Sequence, residues 1–398
     1  MEIETADVDL DTAGAAGGEG IADMAVGNHL KLELARDELV AKLAIVSRAV
    51  STRGTVQVLS GILLSSEAGT ITLAATDMEL SLRTTLAARV EGDGAVVIPG
   101  KPFAELARLL PESEVTLEYS PEEGTIQITS GSYSSRLHVF NAEDFPRLPA
   151  IDAQLHAIGR EALLATVDRV AKSASRDESR PVLTGILVRF EAGKLIMVAT
   201  DSYRLSVKET TLGEAAPDLE AIIPARALTE LSRLSSGGSS GGGDTIDLGV
   251  HENHVVFGTG DAWLTTRRID GQFPNYRQLL PETFEVELTL PKSELGDVVR
   301  RASVLALRNS PLRLRLAEGE LTVSAQTQDV GETQETMPAA YSGEEFLIGF
   351  NAEFLRDGIE SIVGDDVKLK LINPLRPAIL QDAAGDFTYL IMPIRLAG

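Results

Sequence analysis

Two aspartates stand at matching positions of an internal repeat. Asp77 and Asp201 each end an Ala-Thr-Asp triplet. Two carboxylates that folding brings together could serve as a general acid and a general base. We favour a structural role instead, because an Asp that follows a strand commonly accepts hydrogen bonds from its own turn backbone. A third copy of the repeat carries Ala325-Gln326-Thr327 at this place, which argues against a catalytic pair.

Other motifs with chemical potential are sparse. The chain has no cysteine, which excludes a disulfide framework and any thiolate metal site. It lacks the phosphate-binding glycine loop, the dinucleotide fingerprint and the G-x-S-x-G nucleophile motif. Its five histidines are scattered, and the closest pair, His251 and His254, lacks the set of further ligands that a metal site needs. We therefore expect no catalytic residue, no metal and no cofactor.

The distribution of charge is more informative than its sum. A net charge of −23 argues at first against binding to nucleic acid. In the windows 31–53, 160–180 and 292–315, however, the basic residues number 5, 5 and 6 and the acidic residues 3, 4 and 2. These windows carry +7 and the rest of the chain −30. A basic strip on an acidic body would focus a polyanion onto one surface; ordinary solvated helix faces are the alternative.

Five arginines lie at the ends of helix-like segments or in the loops that follow them. They are Arg48, Arg53, Arg176, Arg180 and Arg308. Basic helix ends that recur in each copy can meet a phosphate backbone from several directions. Few Asn, Gln or aromatic residues accompany them, which disfavours base readout and stacking on single strands. We predict sequence-independent contact with double-stranded DNA.

The elements that must position these residues are themselves repeated. Residues 57–77 and 181–201 are identical at 11 of 21 aligned positions, and a diverged third copy includes 312–321. A copy of about 120 residues is a whole domain rather than a solenoid unit. Each copy combines two helical apolar stripes with several alternating strands, which predicts an α+β fold. We expect a disordered acidic extension at 1–28 and domains at 29–149, 150–281 and 282–398.

The sequence also indicates where the protein is located in the cell. Its N-terminus shows no charged segment followed by an apolar stretch, and it contains no apolar run of about 18 residues or more. We therefore expect a protein that is neither secreted nor membrane-spanning. The absence of cysteine suits the cytoplasm.

Four segments, in their order along the chain, carry a resemblance to a known family. They are 180–186 (RPVLTGI), 199–205 (ATDSYRL), 273–276 (FPNY) and 391–396 (IMPIRL). Together with the three tandem repeats, they make residues 30–398 resemble the bacterial DNA sliding clamp, the β subunit of DNA polymerase III. The resemblance implies a homodimer that closes head to tail into a six-domain ring around duplex DNA. Helices would line the hole, antiparallel sheets would form the rim, and the subunit would have no catalytic activity of its own.

The resemblance further implies a hydrophobic pocket between the second and third domains. This pocket would capture short linear motifs of the polymerase III catalytic subunit, the clamp loader and other polymerases or repair proteins. Apolar walls with a few orienting polar groups suit such a peptide. The matching positions are Leu183, Thr200, Ser202, Tyr203, Arg204, Leu205, Pro274, Gln278, Leu279, Asn351, Phe354, Leu390, Met392, Pro393, Ile394 and Arg395.

Some features of this assignment stay open. Gln278 stands where some relatives carry a basic residue and Phe354 where a Tyr is common, which implies a different motif preference. The first copy carries Met78-Glu79 at the loop, which we interpret as one residue shorter than Ser202-Tyr203-Arg204. Alternatives to a DNA clamp are a structural or adhesive repeat protein and an enzyme that uses Asp77 and Asp201.

Overall fold

The structure, a computed structural model, describes residues 29–52, 56–151, 154–212, 219–236, 243–306, 310–328 and 330–396. The extension expected at 1–28 lies outside the described residues, and so do Arg53 and Arg308. Among the helices of the described ranges, none is long and apolar enough to cross a membrane.

Each domain combines antiparallel strands with two principal helices. The first domain contains helices α1 (Arg36–Val46) and α2 (Gly100–Leu109) and strands β1 (Leu30–Ala35), β2 (Gly61–Glu67), β3 (Thr70–Thr76), β4 (Leu80–Leu86), β5 (Arg89–Glu91), β6 (Gly94–Pro99), β7 (Glu114–Ser120), β8 (Thr125–Ser130) and β9 (Tyr133–His138). The second contains α3 (Arg160–Val170), the single turn α4 (Pro181–Thr184) and α5 (Ala225–Ser236), with β10 (Leu155–Gly159), β11 (Gly185–Glu191), β12 (Lys194–Thr200), β13 (Arg204–Thr211), β14 (Glu220–Pro224), β15 (Thr245–Val250), β16 (His254–Thr259) and β17 (Ala262–Arg267).

The third domain repeats this order. It contains α6 (Lys292–Ser303) and α7 (Ala352–Ser361), with strands β18 (Val286–Pro291), β19 (Leu312–Ala317), β20 (Glu320–Thr327), β21 (Gly331–Pro338), β22 (Phe346–Phe350), β23 (Asp366–Leu371), β24 (Ala378–Gln381) and β25 (Phe387–Ile391). Three of the short 3₁₀ turns matter for the argument below: Ser47–Ala49, Ala171–Ser173 and Tyr276–Leu279.

Helical spacing of apolar residues produces the helices. Leu39, Leu43 and Val46 fall on one face of α1 at the predicted interval, and all three are buried. The corresponding stripes of α3 and α6 are buried as well. Within each domain the helices pack in a pair, α1 with α2, α3 with α5 and α6 with α7. The expected α+β fold is confirmed, and every buried Leu or Val of these stripes contributes about 1.5–3 kcal/mol.

The repeated hairpin turn requires a left-handed backbone. Ala68 and Gly69 have φ of 48° and 79°, and Ala192 and Gly193 repeat this with 49° and 74°. Two consecutive residues with positive φ match the right-handed twist of the flanking strands. Glycine adopts this conformation without the steric cost that a Cβ brings.

Two sheets continue across the domain junctions. One has the order β10-β15-β16-β17-β4-β3-β2-β6, the other β14-β11-β12-β13-β25-β24-β23-β18. At each junction, the strand that follows the repeated hairpin of one domain pairs antiparallel with the last strand of the next domain, as β4 with β17 and β13 with β25. The remaining sheets, β5-β1-β7-β8-β9 and β21-β20-β19-β22, each belong to one domain. We call the junction of the first two domains the first junction and that of the last two the second junction.

An ion pair also crosses each junction, from the first helix of one domain to the last hairpin of the next. Lys42 of α1 contacts Asp261, between β16 and β17. Arg169 of α3 contacts the buried Asp382, between β24 and β25, and its Nε donates to the carbonyl of Ser361 at 2.9 Å. Removing one member of a buried pair leaves an uncompensated charge, which costs about 3–5 kcal/mol. These contacts fix neighbouring domains relative to one another.

Candidate peptide-binding pocket

The loop after β12 forms one side of the expected pocket. Asp201 Oδ1 accepts hydrogen bonds from the backbone N–H groups of Tyr203 at 2.9 Å and of Arg204 at 3.0 Å. The hydroxyl of Thr200 donates to the carbonyl of Arg204 at 2.7 Å, and Ser202 takes a φ of 79°. The turn role that we favoured for Asp201 is therefore confirmed, and the turn presents Ser202 and Tyr203 outward.

The loop after β3 has the same construction. Asp77 Oδ1 accepts from the N–H groups of Glu79 at 3.1 Å and of Leu80 at 2.9 Å. Thr76 donates to the carbonyl of Leu80 at 3.1 Å, and Met78 has a φ of 78°. The expectation of a shorter first loop was wrong, because Leu80 occupies the place of Arg204. The two loops differ in side chains and not in length.

Arg204 is the most heavily bonded side chain of this region. Its guanidinium, only 6% exposed, contacts Asp201 at 3.1 Å and Asp357 of α7 at 2.6 Å. It also donates to the carbonyl of Lys172 at 2.6 Å and lies 4.3 Å from the centre of the Phe354 ring. Burial alone would lower the pKa of Arg204, but its anionic and hydroxyl neighbours raise it above the usual value. The positive charge of Arg204 is thus compensated by groups within the protein.

Tyr389 completes this network from β25. Its hydroxyl donates to the carbonyl of Phe354 at 2.7 Å, and the ring is fully buried. Burial also raises the pKa of Tyr389, although Arg204 opposes the shift. Sequence reasoning missed Tyr389 and Asp357 as partners of Arg204. The only local signal was the spacing of Asp357 from Phe354, which places both on one side of α7.

Large apolar side chains lie on the outer side of the expected pocket, which we call its wall. Tyr203 is 61% exposed and Met392 40% exposed. The Tyr203 ring stacks on Phe354 with 6.4 Å between centroids, and the N–H of Met392 donates to the carbonyl of Tyr203 at 2.8 Å. Leu279 and Ile394 are exposed as well. Exposed apolar side chains that adjoin one another mark a surface for a partner.

The residues beneath this wall, which form its floor, belong to the hydrophobic core. Leu205 and Leu390 face each other in the β13–β25 pairing and are buried in one cluster with Tyr276 and Ile379. Leu183 and Thr200 are buried too. The alternative that Leu183, Leu205 and Leu390 are core residues therefore agrees with their burial. They support the wall, and Tyr276 brings the Tyr276–Leu279 turn to the same cluster.

The other matched positions lie around this wall. Asn351 caps α7, since its side chain accepts from the N–H of Phe354 at 3.1 Å. Pro274 and Gln278 are exposed beside Tyr276, and Arg395 is exposed near the C-terminus. Pro393 is half-buried, and the N–H of Ile394 bonds to the carbonyl of Gly349 at 2.8 Å. We define the peptide pocket as the surface formed by Tyr203, Phe354, Leu279, Met392 and Ile394 above this floor.

Three of the five arginines predicted to face DNA lie in the described ranges. Arg48 follows α1 and pairs with Glu230 of α5 at 3.1 Å. Arg176 is exposed in the loop after α3. Arg180 pairs with Asp177 at 3.1 Å and donates to Ser202 Oγ at 3.0 Å, which places it beside the peptide pocket loop. Arg53 and Arg308 lie outside the described residues.

Comparison with known proteins agrees with the three-domain fold between residues 30 and 395. Models of the N-terminal, central and C-terminal domains of the DNA polymerase III beta subunit match residues 30–149, 157–275 and 277–395. The chain belongs to the family of β sliding clamps. The resemblance inferred from the sequence is thereby confirmed.

Individual relatives share both sequence and fold. The beta sliding clamp of Synechococcus elongatus is 34% identical over 377 residues, which cover 92% of this chain and all of the relative. The crystal structure of the DNA polymerase sliding clamp from Caulobacter crescentus is 30% identical with a TM-score of 0.85, over 92% of this chain and 100% of that one. A sliding clamp from Pseudomonas aeruginosa, solved bound to griselimycin, is 25% identical with a TM-score of 0.84, over 93% and 100% of the two chains.

Proposed function

We propose that two copies of this chain close head to tail into a six-domain ring around duplex DNA, and that the ring tethers the replicative polymerase. In this role the chain is the processivity factor of DNA polymerase III. It transforms no substrate, because processivity follows from topology. We place the ring in the cytoplasm, where bacterial replication takes place.

Two strands at open edges of their sheets, β9 and β21, support the proposed ring. Strands β4, β13 and β21 each follow the repeated hairpin of their domain, and β9, β17 and β25 each end their domain. Within one chain, β4 pairs with β17 and β13 pairs with β25. This leaves β21 and β9 as outer strands of their sheets. Pairing β21 of one copy with β9 of another repeats the same junction and removes both open edges.

Head-to-tail contacts close only when their rotation brings the chain back to its start. Three domains per chain and one kind of junction favour a closed ring of two copies, in keeping with the family. The helix pairs α1/α2, α3/α5 and α6/α7 would then line the hole.

Contacts with DNA would be electrostatic and weak. Arg48 lies in the turn that follows α1 and Arg176 in the loop that follows the turn Ala171–Ser173, and each would neutralise one phosphate. We extend the same role to Arg53, Arg180 and Arg308. Because such contacts carry no sequence information and weaken with salt, they allow the ring to slide.

The peptide pocket would hold the partners. Its exposed apolar wall suits the large side chains of a short linear motif, and the loop around Ser202 and the cap residue Asn351 offer polar groups that orient it. We propose that the polymerase III catalytic subunit, the clamp loader and other polymerases or repair proteins compete for this surface. The structural or adhesive alternative finds no support among the relatives.

The assembly can be tested with the intact chain. We expect sedimentation at twice the chain mass of 42.5 kDa, and the dimer should persist when a polymerase C-terminal peptide is added. Because the chain has no cysteine, one cysteine placed in β9 and another in β21 can crosslink only if these strands meet. A chain that stays monomeric under all conditions, or one that never forms this crosslink, contradicts the ring.

A further inference from the structure

A cavity lies at the first junction. It has a volume of about 240 Å³. Its walls come from the loop after β3, the segment 146–149, the start of β16 and the end of β17. It therefore joins residues of the first domain to residues of the second. We call it the first-junction cavity.

The first-junction cavity occupies the place that the peptide pocket has at the second junction. The N–H of Arg267 donates to the carbonyl of Glu79 at 3.2 Å, just as Met392 donates to Tyr203 at 2.8 Å. Met78 also repeats the left-handed backbone of Ser202. The same β-strand junction and the same turn thus build both surfaces.

The side chains at equivalent places differ in chemistry. The strand pairings match Met392, Tyr203, Leu205 and Leu390 of the second junction with Arg267, Glu79, Ser81 and Thr265 of the first. Apolar groups have been replaced by polar and charged ones. A ligand of the first-junction cavity must therefore differ from that of the peptide pocket.

Two arginines of the cavity that form no ion pair within the described residues indicate the charge of its ligand. Arg147 and Arg267 both line the cavity, and neither forms an ion pair with any residue that the structure describes. Arg204, in contrast, is bonded to carboxylates on two sides. Guanidinium groups recognise carboxylates through short, charge-assisted hydrogen bonds, so Arg147 and Arg267 are complementary to an anion.

The rest of the lining favours a peptide over a polyanion. Met78 is 56% exposed, and with Pro146 and Leu148 it offers an apolar surface within the same cavity. Glu79 places a carboxylate there, which disfavours a ligand that is uniformly anionic. A ligand with separate apolar and acidic side chains satisfies both parts of the lining.

We propose that the first-junction cavity is a second peptide-binding site, which takes an extended acidic segment of a partner protein. An apolar side chain of that segment packs on Met78 and Leu148, and an adjacent carboxylate pairs with Arg147 and Arg267. The site goes beyond the proposed tethering function, since its ligand differs from that of the peptide pocket.

Fluorescence anisotropy with the full-length chain tests this site. The probe is a short labelled peptide that alternates aspartate and leucine, and its matched control alternates asparagine and leucine. At low ionic strength we expect the aspartate peptide to bind about tenfold more tightly. Arg267→Ala and Arg147→Ala should each weaken it about threefold to fivefold, while Glu79→Gln should strengthen it because a repelling charge is lost.

Several outcomes overturn the proposal. They are an aspartate peptide that does not bind, equal affinity for the two peptides, and binding that Arg267→Ala leaves unchanged. Loss of binding in Met392→Ala instead would assign the peptide to the second junction. A misfolded variant cannot imitate the expected pattern, because Glu79→Gln changes the affinity in the opposite direction from the arginine variants.

Discussion

The first and second junctions share a backbone and differ in what their side chains do. Both pair the strand after a hairpin with the last strand of the next domain, and both hold the adjoining loop by an aspartate. At the second junction the arginine after that aspartate is buried among carboxylates, and the exposed wall is apolar. At the first, a leucine fills that place and cations remain in the cavity. A duplicated scaffold can thus keep one architecture while its surfaces acquire different ligands.

The largest difference should appear in stability. We expect Arg204→Ala to lower the free energy of unfolding by about 3–5 kcal/mol, because it removes the guanidinium that compensates the charges of the buried Asp201 and the partly buried Asp357. Its control at the first junction is Arg226→Ala, which removes the ion pair of the 52% exposed Arg226 with Asp77 and should cost about 1 kcal/mol or less. Urea unfolding measures both. Equal costs would mean that the two junctions are not energetically distinct.

The helix-to-hairpin ion pairs, in contrast, should be similar at the two junctions. Asp382→Ala and Asp261→Ala should each cost about 3 kcal/mol, because each leaves a buried cation, Arg169 or Lys42, without its main carboxylate partner. Burial opposes the charge, but Arg169 holds the pKa of Asp382 below its usual range. This contribution is therefore complete above a pH of about 4 and is lost as the pH falls through the lowered pKa. A stability that is flat in acid for the wild type would contradict this.

Binding of a polymerase peptide separates the two surfaces. Met392→Ala combined with Tyr203→Ala should weaken a labelled polymerase C-terminal peptide about tenfold, because it removes most of the exposed apolar wall. Arg267→Ala, at the place equivalent to Met392, should leave this affinity unchanged. Isothermal titration with each dimer measures the difference. A similar loss in both variants would show that the peptide pocket has been placed wrongly.

The smallest effect concerns DNA. Arg48→Ala and Arg176→Ala should each reduce the slope of log affinity against log salt concentration by about 1, since each removes one phosphate contact. Polymerase-peptide binding should not change. A slope that stays the same in both variants would place these arginines away from the DNA.

Much of the fold could be predicted from local sequence. Leu39, Leu43 and Val46 indicate a helix because their spacing is periodic, and the turn role of Asp201 follows from its place after a strand. Both expectations are confirmed. The domain boundaries and the roles assigned to the pocket and DNA-facing residues stay predictions.

What sequence reasoning missed depends on contacts that are distant along the chain. Arg204 meets Asp357 and Tyr389 only because β13 pairs with β25 across a junction. No periodicity reports such a pairing, so neither the continuous sheets nor this network was predicted. The same strand pairing shows that Leu80 stands in the place of Arg204, which corrects the length assigned to the first loop.

Retention on circular DNA tests the central claim of a closed ring most directly. The protein is loaded onto a nicked circular duplex with the clamp loader that we propose as its partner, and the bound protein is separated by gel filtration before and after one cut of a restriction enzyme. We predict that the protein stays on the circle at moderate salt and leaves once the DNA is linear, because phosphate contacts alone are weak. Protein that remains on linear DNA with free ends would contradict topological tethering.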